Sequence, residues 1–194
     1  MMIILSENLG KEFEARFKAS VDRVDGLFFY RIKDVNQMNL KPGARVSKNL
    51  YDAFMYKYPN LIPVELKSVD ANRTKSIGFQ SGKQDKQNKH IKWHQLEALK
   101  KSVDTYGVIG GLVLNFRFDD HEETFFIHIN DFLEYKRVAE NKLKGIYISK
   151  TNEKSIPLAI CKEIGMEIKS VKLKTKYSYH LKDFIKRLQE KYIN

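Results

Sequence analysis

The chain has 194 residues, of which 42% are hydrophobic and 30% charged, a balance typical of one globular domain rather than a disordered chain. Its longest apolar run, over 108–114, is far below the roughly 20 residues of a membrane span. Cys161 is the only cysteine, which excludes a disulfide framework or thiolate metal site and fits a reducing cytoplasm. The net charge of +11 favours a polyanionic partner over a basic protein with no particular partner.

Hydrophobic spacing and turn residues predict an alternation of helices and strands. In chain order these are a helix over 8–24, strands over 27–33, 50–57 and 61–67, a helix over 91–102, strands over 108–116 and 124–130, a helix capped by Asn130 and running to about 140, and a C-terminal helix capped by Ser178. The two later strands are predicted to be central and antiparallel. We therefore predict a single α/β domain over 1–194, with a mixed β-sheet flanked by helices.

Two polar segments interrupt this pattern. Residues 34–48 contain Pro42-Gly43 and are predicted to be a loop or a projecting hairpin. Residues 68–89 are the most polar stretch of the chain and are predicted to be a basic, flexible loop. That loop is either simply solvated or a clamp for DNA phosphates that becomes ordered on binding.

Three polar residues on two adjacent predicted strands suggest phosphodiester chemistry. Glu65 and Lys67 are two positions apart on a strand, so their side chains share one face. A hairpin turning at residues 58–60 would bring Asp52, thirteen positions upstream, beside Glu65. Carboxylates suit hard divalent cations, and a neighbouring lysine can orient water or neutralise developing charge. The backbone carbonyl of Leu66 is a further candidate metal ligand.

The Glu-x-Lys pattern alone is weak, because charged surfaces produce it by chance. It occurs four times, at 65–67, 134–136, 140–142 and 167–169. In a helix, residues two apart are separated by about 200° and cannot converge, which argues against the pair at 134–136. Only the pair at 65–67 combines a strand, an upstream aspartate and a following helix; the alternative there is an ordinary surface ion pair.

Asp52, followed after twelve residues by Glu65-Leu66-Lys67, resembles the PD-(D/E)xK nuclease motif. The surrounding sequence resembles one branch of that superfamily, the RecU-type Holliday junction resolvases of Gram-positive bacteria and their phages. The segments that carry this resemblance are, in the family's order, 10–14, 94–96, 110–114, 116–118, 154–157 and 179–181. They extend over nearly the whole chain.

The resemblance implies a restriction-endonuclease-like core and a metal-dependent endonuclease that resolves four-way junctions by paired symmetric nicks. Mg²⁺ would be the cofactor, with Mn²⁺ as a substitute. Asp52, Glu65 and the Leu66 carbonyl would hold the metal, Lys67 would assist the attacking water, and Glu14 and Gln95 would complete the site. Glu12 competes with Glu14 as the acid of the first helix.

The expected partners are branched DNA, a second copy of the chain in a homodimer and, as candidates, recombination proteins of the host. The residues expected to contact DNA are Lys41, Arg45, Arg73, Lys75, Lys83, Lys86, Lys89 and Lys92. Three departures from the family suggest a phage version: Leu50-Tyr51 stands where Thr-Thr is usual, 34–48 is shorter than the usual stalk, and the basic N-terminal arm of many bacterial members is absent. The alternatives are a restriction or repair nuclease of the same motif class, or a catalytically silent DNA-binding accessory protein.

Overall fold

The protein is built around one six-stranded mixed sheet. The structure, a computed structural model, describes residues 2–32 and 49–193, with only the backbone of 2–8 and 193. The helices are α1 (Met2–Val21), α2 (Trp93–Tyr106), α3 (Ile129–Glu140), α4 (Leu158–Ile164) and α5 (Leu181–Ile193). The strands are β1 (Phe28–Arg31), β2 (Ala53–Lys57), β3 (Asn60–Asp70), β4 (Ser76–Gly78), β5 (Gly111–Arg117), β6 (Glu122–His128), β7 (Ser155–Pro157), β8 (Met166–Glu167), β9 (Ser170–Lys172) and β10 (Tyr177–Tyr179).

The central sheet has the strand order β1-β2-β3-β5-β6-β8. Every neighbouring pair is antiparallel except β3 and β5, which are parallel. A parallel pair needs a crossover connection, and here the crossover contains α2. The predicted α/β class, with a mixed sheet flanked by helices, is confirmed, as is the central antiparallel pair β5 and β6.

The two faces of the sheet are covered by different helices. Along β3, Ile62, Val64 and Leu66 belong to a core cluster that includes residues of α1 and α5. Glu65 and Lys67 alternate with them and point to the other face. On that other face a second cluster packs residues of α2, α3 and α4 against β5 and β6. Glu65 therefore lies on the same side of the sheet as α2.

Cys161 belongs to this second cluster and is fully buried on α4. Burial in apolar surroundings raises the pKa of its thiol, because the thiolate form would lose its hydration. No helix within 2–32 or 49–193 is both long enough and apolar enough to cross a membrane.

Several local predictions were wrong. The segment 68–89 is not wholly a loop, because β3 continues to Asp70 and β4 pairs with β7. The cap of α3 is His128, whose side chain accepts a hydrogen bond from the backbone of Asn130. Ser178 does not cap α5 but lies within β10. The predicted hairpin at 34–48 lies outside the described residues.

Candidate active site

The β2–β3 hairpin brings Asp52 next to Glu65. The strands turn at Tyr58-Pro59, and Ala53 pairs with Val64, so the residues just outside that pair also meet. The backbone N–H of Asp52 donates to Glu65 Oε2 at 3.1 Å. The backbone N–H of Leu66 donates to Asp52 Oδ2 at 2.9 Å. Each carboxylate is thus fixed by the backbone of the other strand, which sets their separation.

Lys67 bridges the two carboxylates. Its Nζ contacts Glu65 Oε1 and lies 3.5 Å from Asp52 Oδ2. Burial acts to lower the pKa of Lys67, but the charges of Glu65 and Asp52 outweigh burial and raise it. The lysine is therefore held as a cation between two acidic groups, as stabilisation of an anionic phosphate requires.

Glu65 is completely buried, and this dominates its protonation. Loss of hydration raises the pKa of Glu65 to about 8, against the lowering effect of Lys67 and with a further raising effect of Asp52. A buried carboxylate is stable in its charged form only when cations or hydrogen-bond donors compensate it. The ionised form of Glu65 therefore requires positive charge nearby, which a divalent cation would supply.

Gln95 approaches the same carboxylate from the crossover helix. Its Nε2 donates to Glu65 Oε1, while its Oε1 accepts from the backbone N–H of Lys92 at 2.8 Å. This second bond is part of the capping arrangement at the start of α2. It fixes which end of the amide faces Glu65, so the first turn of α2 positions Gln95.

The donor atoms of the site fit a hard divalent cation. Asp52 and Glu65 supply carboxylate oxygens, the ligand type that Mg²⁺ and Mn²⁺ prefer. Within residues 2–32 and 49–193, no three His, Cys, Asp or Glu side chains form a metal-binding group. A cation would therefore use these two carboxylates together with other oxygen atoms, for which the Leu66 carbonyl remains the predicted candidate.

Comparison with protein-family models finds no match. The chain is, however, 46% identical over 177 residues to the SPbeta prophage-derived uncharacterized protein YotM of Bacillus subtilis strain 168, which covers 91% of this chain and 84% of that protein. The chain belongs to the YotM family.

Among solved structures, this YotM-family chain is similar to Hjc of Archaeoglobus fulgidus, described as a Holliday junction resolvase from an archaeal hyperthermophile. The two share 11% identity with a TM-score of 0.42, over 83% of this chain and 94% of the Hjc chain. So weak an overlap leaves the function of the YotM-family chain to be argued from its own residues.

The predicted residues of the YotM-family site fall into two groups. Asp52, Glu65, Lys67 and Gln95 are joined by direct contacts. Glu14 instead forms an ion pair with Arg31 at 2.5 Å, on the strand beside the one that Asp52 precedes.

Its competitor, Glu12, is more exposed and pairs with Arg117 at 2.9 Å. Both first-helix acids are therefore engaged with arginines. The role predicted for Glu14 at the metal stays a prediction.

The predicted DNA-binding residues of the YotM-family chain lie mostly on the surface after β3. Lys83 and Lys86 are exposed, and Arg73 is exposed beside Asp70. The others have identified neighbours or lie outside the described residues. Lys75 lies over the Phe118 ring, and Lys89 is close to Gly78. The side chain of Lys92 donates to Asn88. Lys41 and Arg45 lie outside the described residues.

Sequence reasoning missed the residues whose hydrogen bonds fix the conformation of the segment that carries Lys83 and Lys86. The side chain of Gln80 donates to the backbone carbonyls of Asp85 and Gln87 and accepts from the backbone N–H of Trp93. Asp85 accepts from the backbone N–H groups of Ser81 and Gln87. Lys136 of α3 donates to the Ser81 carbonyl. Asp85 itself was the available signal, because aspartate often accepts from the backbone N–H two positions on, as in an Asx turn.

Proposed function

We propose that this chain is a metal-dependent DNA endonuclease of the RecU type that resolves four-way junctions. The observation that carries the proposal is the set of direct contacts that joins Asp52, Glu65 and Lys67 on one face of the sheet at β2 and β3, with Gln95 against the buried carboxylate. The central sheet is built in the order of helix, three strands, helix and two strands, with β4 outside this sheet, and this order supports a restriction-endonuclease-like core. Similarity to a prophage-derived protein supports a phage origin.

Asp52 and Glu65 would hold Mg²⁺, or Mn²⁺ in its place, with the Leu66 carbonyl as a further ligand. When bound, the cation supplies Lewis-acid stabilisation of the phosphate and lowers the pKa of a water molecule. The residues of the chain orient the groups that would hold the cation. The paired backbone bonds to the two carboxylates keep them oriented before substrate arrives, which removes a reorganisation cost at the moment of reaction.

Lys67 and Gln95 both contact the carboxylate of Glu65. The Lys67 ammonium, which both carboxylates hold as a cation, would orient the attacking water or neutralise charge on a non-bridging phosphate oxygen. Gln95 would keep Glu65 from rotating, because the bond to the Lys92 backbone fixes its amide. Glu14 would complete the site through the neighbouring strand that carries Arg31.

Cleavage of matched substrates tests the proposal. The purified protein is incubated with a labelled four-way junction, or with a linear duplex of the same arm sequence, in Mg²⁺ or in EDTA. We expect paired nicks in opposed strands of the junction, in Mg²⁺ alone. Asp52→Asn and Glu65→Gln, which preserve side-chain shape, should bind the junction without cutting it. Full activity of Glu65→Gln would refute the assignment of the site.

Two symmetric nicks call for two sites, and residues 2–32 and 49–193 contain one candidate. We therefore propose a two-fold homodimer, the commonest oligomer symmetry. Differently tagged wild-type and Glu65→Gln chains, purified as a mixed dimer, should nick one strand of a junction and leave the opposed strand whole. A protein that sediments as a monomer both with and without junction, and makes mainly single nicks, would contradict the dimer.

The same assays separate the alternatives. Equal cutting of junction and linear duplex would favour a restriction or repair nuclease. Binding without cutting in any divalent cation would favour a silent accessory protein. Recombination proteins of the host remain candidate partners, which co-purification with the tagged chain from phage-infected cells would test.

A further inference from the structure

Four aromatic side chains line one face of the sheet edge formed by β1 and β2. Along β1, Phe29 packs into the core while Phe28 and Tyr30 keep 54% and 50% of their surface exposed. Along β2, Ala53 and Met55 are buried while Phe54 and Tyr56 point the other way. The aromatic face, defined as Phe28, Tyr30, Phe54 and Tyr56, is therefore the side of these strands that faces away from α1 and α5.

This aromatic face is continuous with the carboxylate pair. Tyr30 is paired with Phe54 and Phe54 with Pro63, so the three form one row across the strands. Glu65 is two residues beyond Pro63 on the same side of β3, which places the carboxylate row about 7 Å from this row. The row of Phe28 and Tyr56 is another 7 Å or so further along.

The carboxylates lie at a boundary on this face. On one side of Glu65, the residues of β3 with the same orientation, such as Val69, are buried in the core beneath α2 and α3. On the other side, Pro63 of β3 is still buried, but the rings of β1 and β2 are accessible and touch one another: the centroids of Tyr30 and Phe54 are 5.4 Å apart, and those of Phe28 and Phe54 are 6.3 Å apart. The accessible ring faces thus begin on the strands next to β3.

We propose that the aromatic face stacks against unpaired bases next to the phosphodiester bond that is cut. The inference rests on the proposed nuclease function. A nucleic acid strand whose phosphate lies at Asp52 and Glu65 has its flanking nucleotides within reach of rows about 7 and 14 Å away. Aromatic rings stack on bases of any sequence, and the net charge of +11 attracts the backbone.

Stacking of unpaired bases on the aromatic face would also account for a preference for branched DNA. In a continuous duplex each base is stacked between its neighbours and presents no free ring face. At a branch point the strand changes partners, and bases there can leave the stack at lower cost. A stacking surface beside the carboxylates would therefore select strands that can open, without reading their sequence.

The test compares loss of the ring with retention of the ring. The double variant Phe28→Leu with Tyr30→Leu keeps apolar bulk but removes both ring faces, whereas Phe28→Tyr with Tyr30→Phe keeps them. Affinities for a four-way junction and for linear duplex are measured in EDTA, so that no cutting interferes. We expect the leucine variant to lose about tenfold or more in junction affinity and little in duplex affinity, and the ring-retaining variant to match wild type.

A second measurement compares the two bound states. A junction carrying 2-aminopurine at the branch point should be less fluorescent when bound to wild type than when bound to the leucine variant, because stacking on a ring quenches an unpaired base. An unchanged junction-to-duplex ratio in the leucine variant, or equal fluorescence of the two bound junctions, would overturn the inference while leaving wild-type cleavage intact. Failure of wild type to cut junctions would instead count against the proposed function.

Sedimentation without DNA tests the alternative that the aromatic face binds a second copy of the chain. If wild type is a dimer and the leucine variant a monomer, the rings form a contact between copies of the chain and the stacking inference is wrong. The same sedimentation coefficient for both proteins, together with the loss of junction affinity, supports stacking.

Discussion

Replacing Glu65 with glutamine should change how the stability of the metal-free protein depends on pH. Burial raises the pKa of Glu65 from 4.5 to about 8. Between these values the folded protein binds a proton that the unfolded chain has released. Stability must therefore fall as pH rises through this window, because the carboxylate is charged in the unfolded chain and is forced towards the protonated form in the folded one.

The size of the effect follows from the width of the window. One pKa unit corresponds to about 1.4 kcal/mol, and the interval from pH 5 to pH 8 covers most of the shift. The wild-type protein should lose about 3 kcal/mol over this interval through Glu65 alone. Glutamine does not titrate, so this loss is absent from Glu65→Gln. Contributions from groups that do not contact Glu65 are shared by the two proteins and cancel in the difference.

Urea unfolding in EDTA at several pH values between 5 and 8 measures this difference. The free energy of unfolding of Glu65→Gln relative to wild type should increase steadily with pH. Added Mg²⁺ should flatten the wild-type pH dependence, because metal binding requires the ionised carboxylate and strengthens as pH rises. Parallel pH curves for the two proteins in EDTA would refute the idea that burial controls the protonation of Glu65.

Three further changes have defined outcomes. Gln95→Ala should lower the cleavage rate about 10- to 100-fold, with junction binding retained, because the change removes the donor to Glu65 and the cap bond from Lys92 but no basic side chain. Removing two exposed lysines of the basic surface should lower the slope of log affinity against log salt by about 1.8, and removing two from α5, on the opposite face, should not. The two pairs are Lys83 with Lys86 and Lys182 with Lys186. Gly111→Ala should destabilise the fold by about 1–3 kcal/mol in urea unfolding, because the added carbon would lie 2.4 Å from the Ile127 carbonyl.

Each of these outcomes has an opposite that would count against the reasoning. A Gln95→Ala protein with wild-type rate would mean that the amide does not position the carboxylate. Equal salt slopes in both lysine variants would mean that the turn after β3 does not contact the DNA backbone. Wild-type stability of Gly111→Ala would mean that β5 and β6 can separate without cost.

The part of the fold that positions the site could be predicted from the sequence because its signals are local. Asp52 and Glu65 are joined by a hairpin whose turn is marked by Tyr58-Pro59-Asn60, and strand alternation puts Glu65 and Lys67 on one face. The helix that carries Gln95 was predicted over 91–102 and begins at Trp93, whereas the role of Gln95 was implied only by the family resemblance.

The rest depended on contacts between distant segments. β7 to β10 are only two or three residues long, too short for any hydrophobic period to be visible. The ion pair between Glu14 and Arg31 joins a helix to a strand, so helix position alone did not predict it. The run over 27–30 is apolar at every position and shows no alternation, yet Phe28 and Tyr30 are exposed while Leu27 and Phe29 are buried.

The single thiol of the chain makes the protein convenient for site-specific labelling. Cys161 is buried and stays protonated because burial raises the pKa of its thiol, so the folded protein should react slowly with maleimide dyes. A cysteine introduced at exposed Tyr58 would then carry the only fast-reacting thiol among the described residues, without removal of a native one. Energy transfer between chains labelled there with donor and acceptor dyes would report assembly in real time.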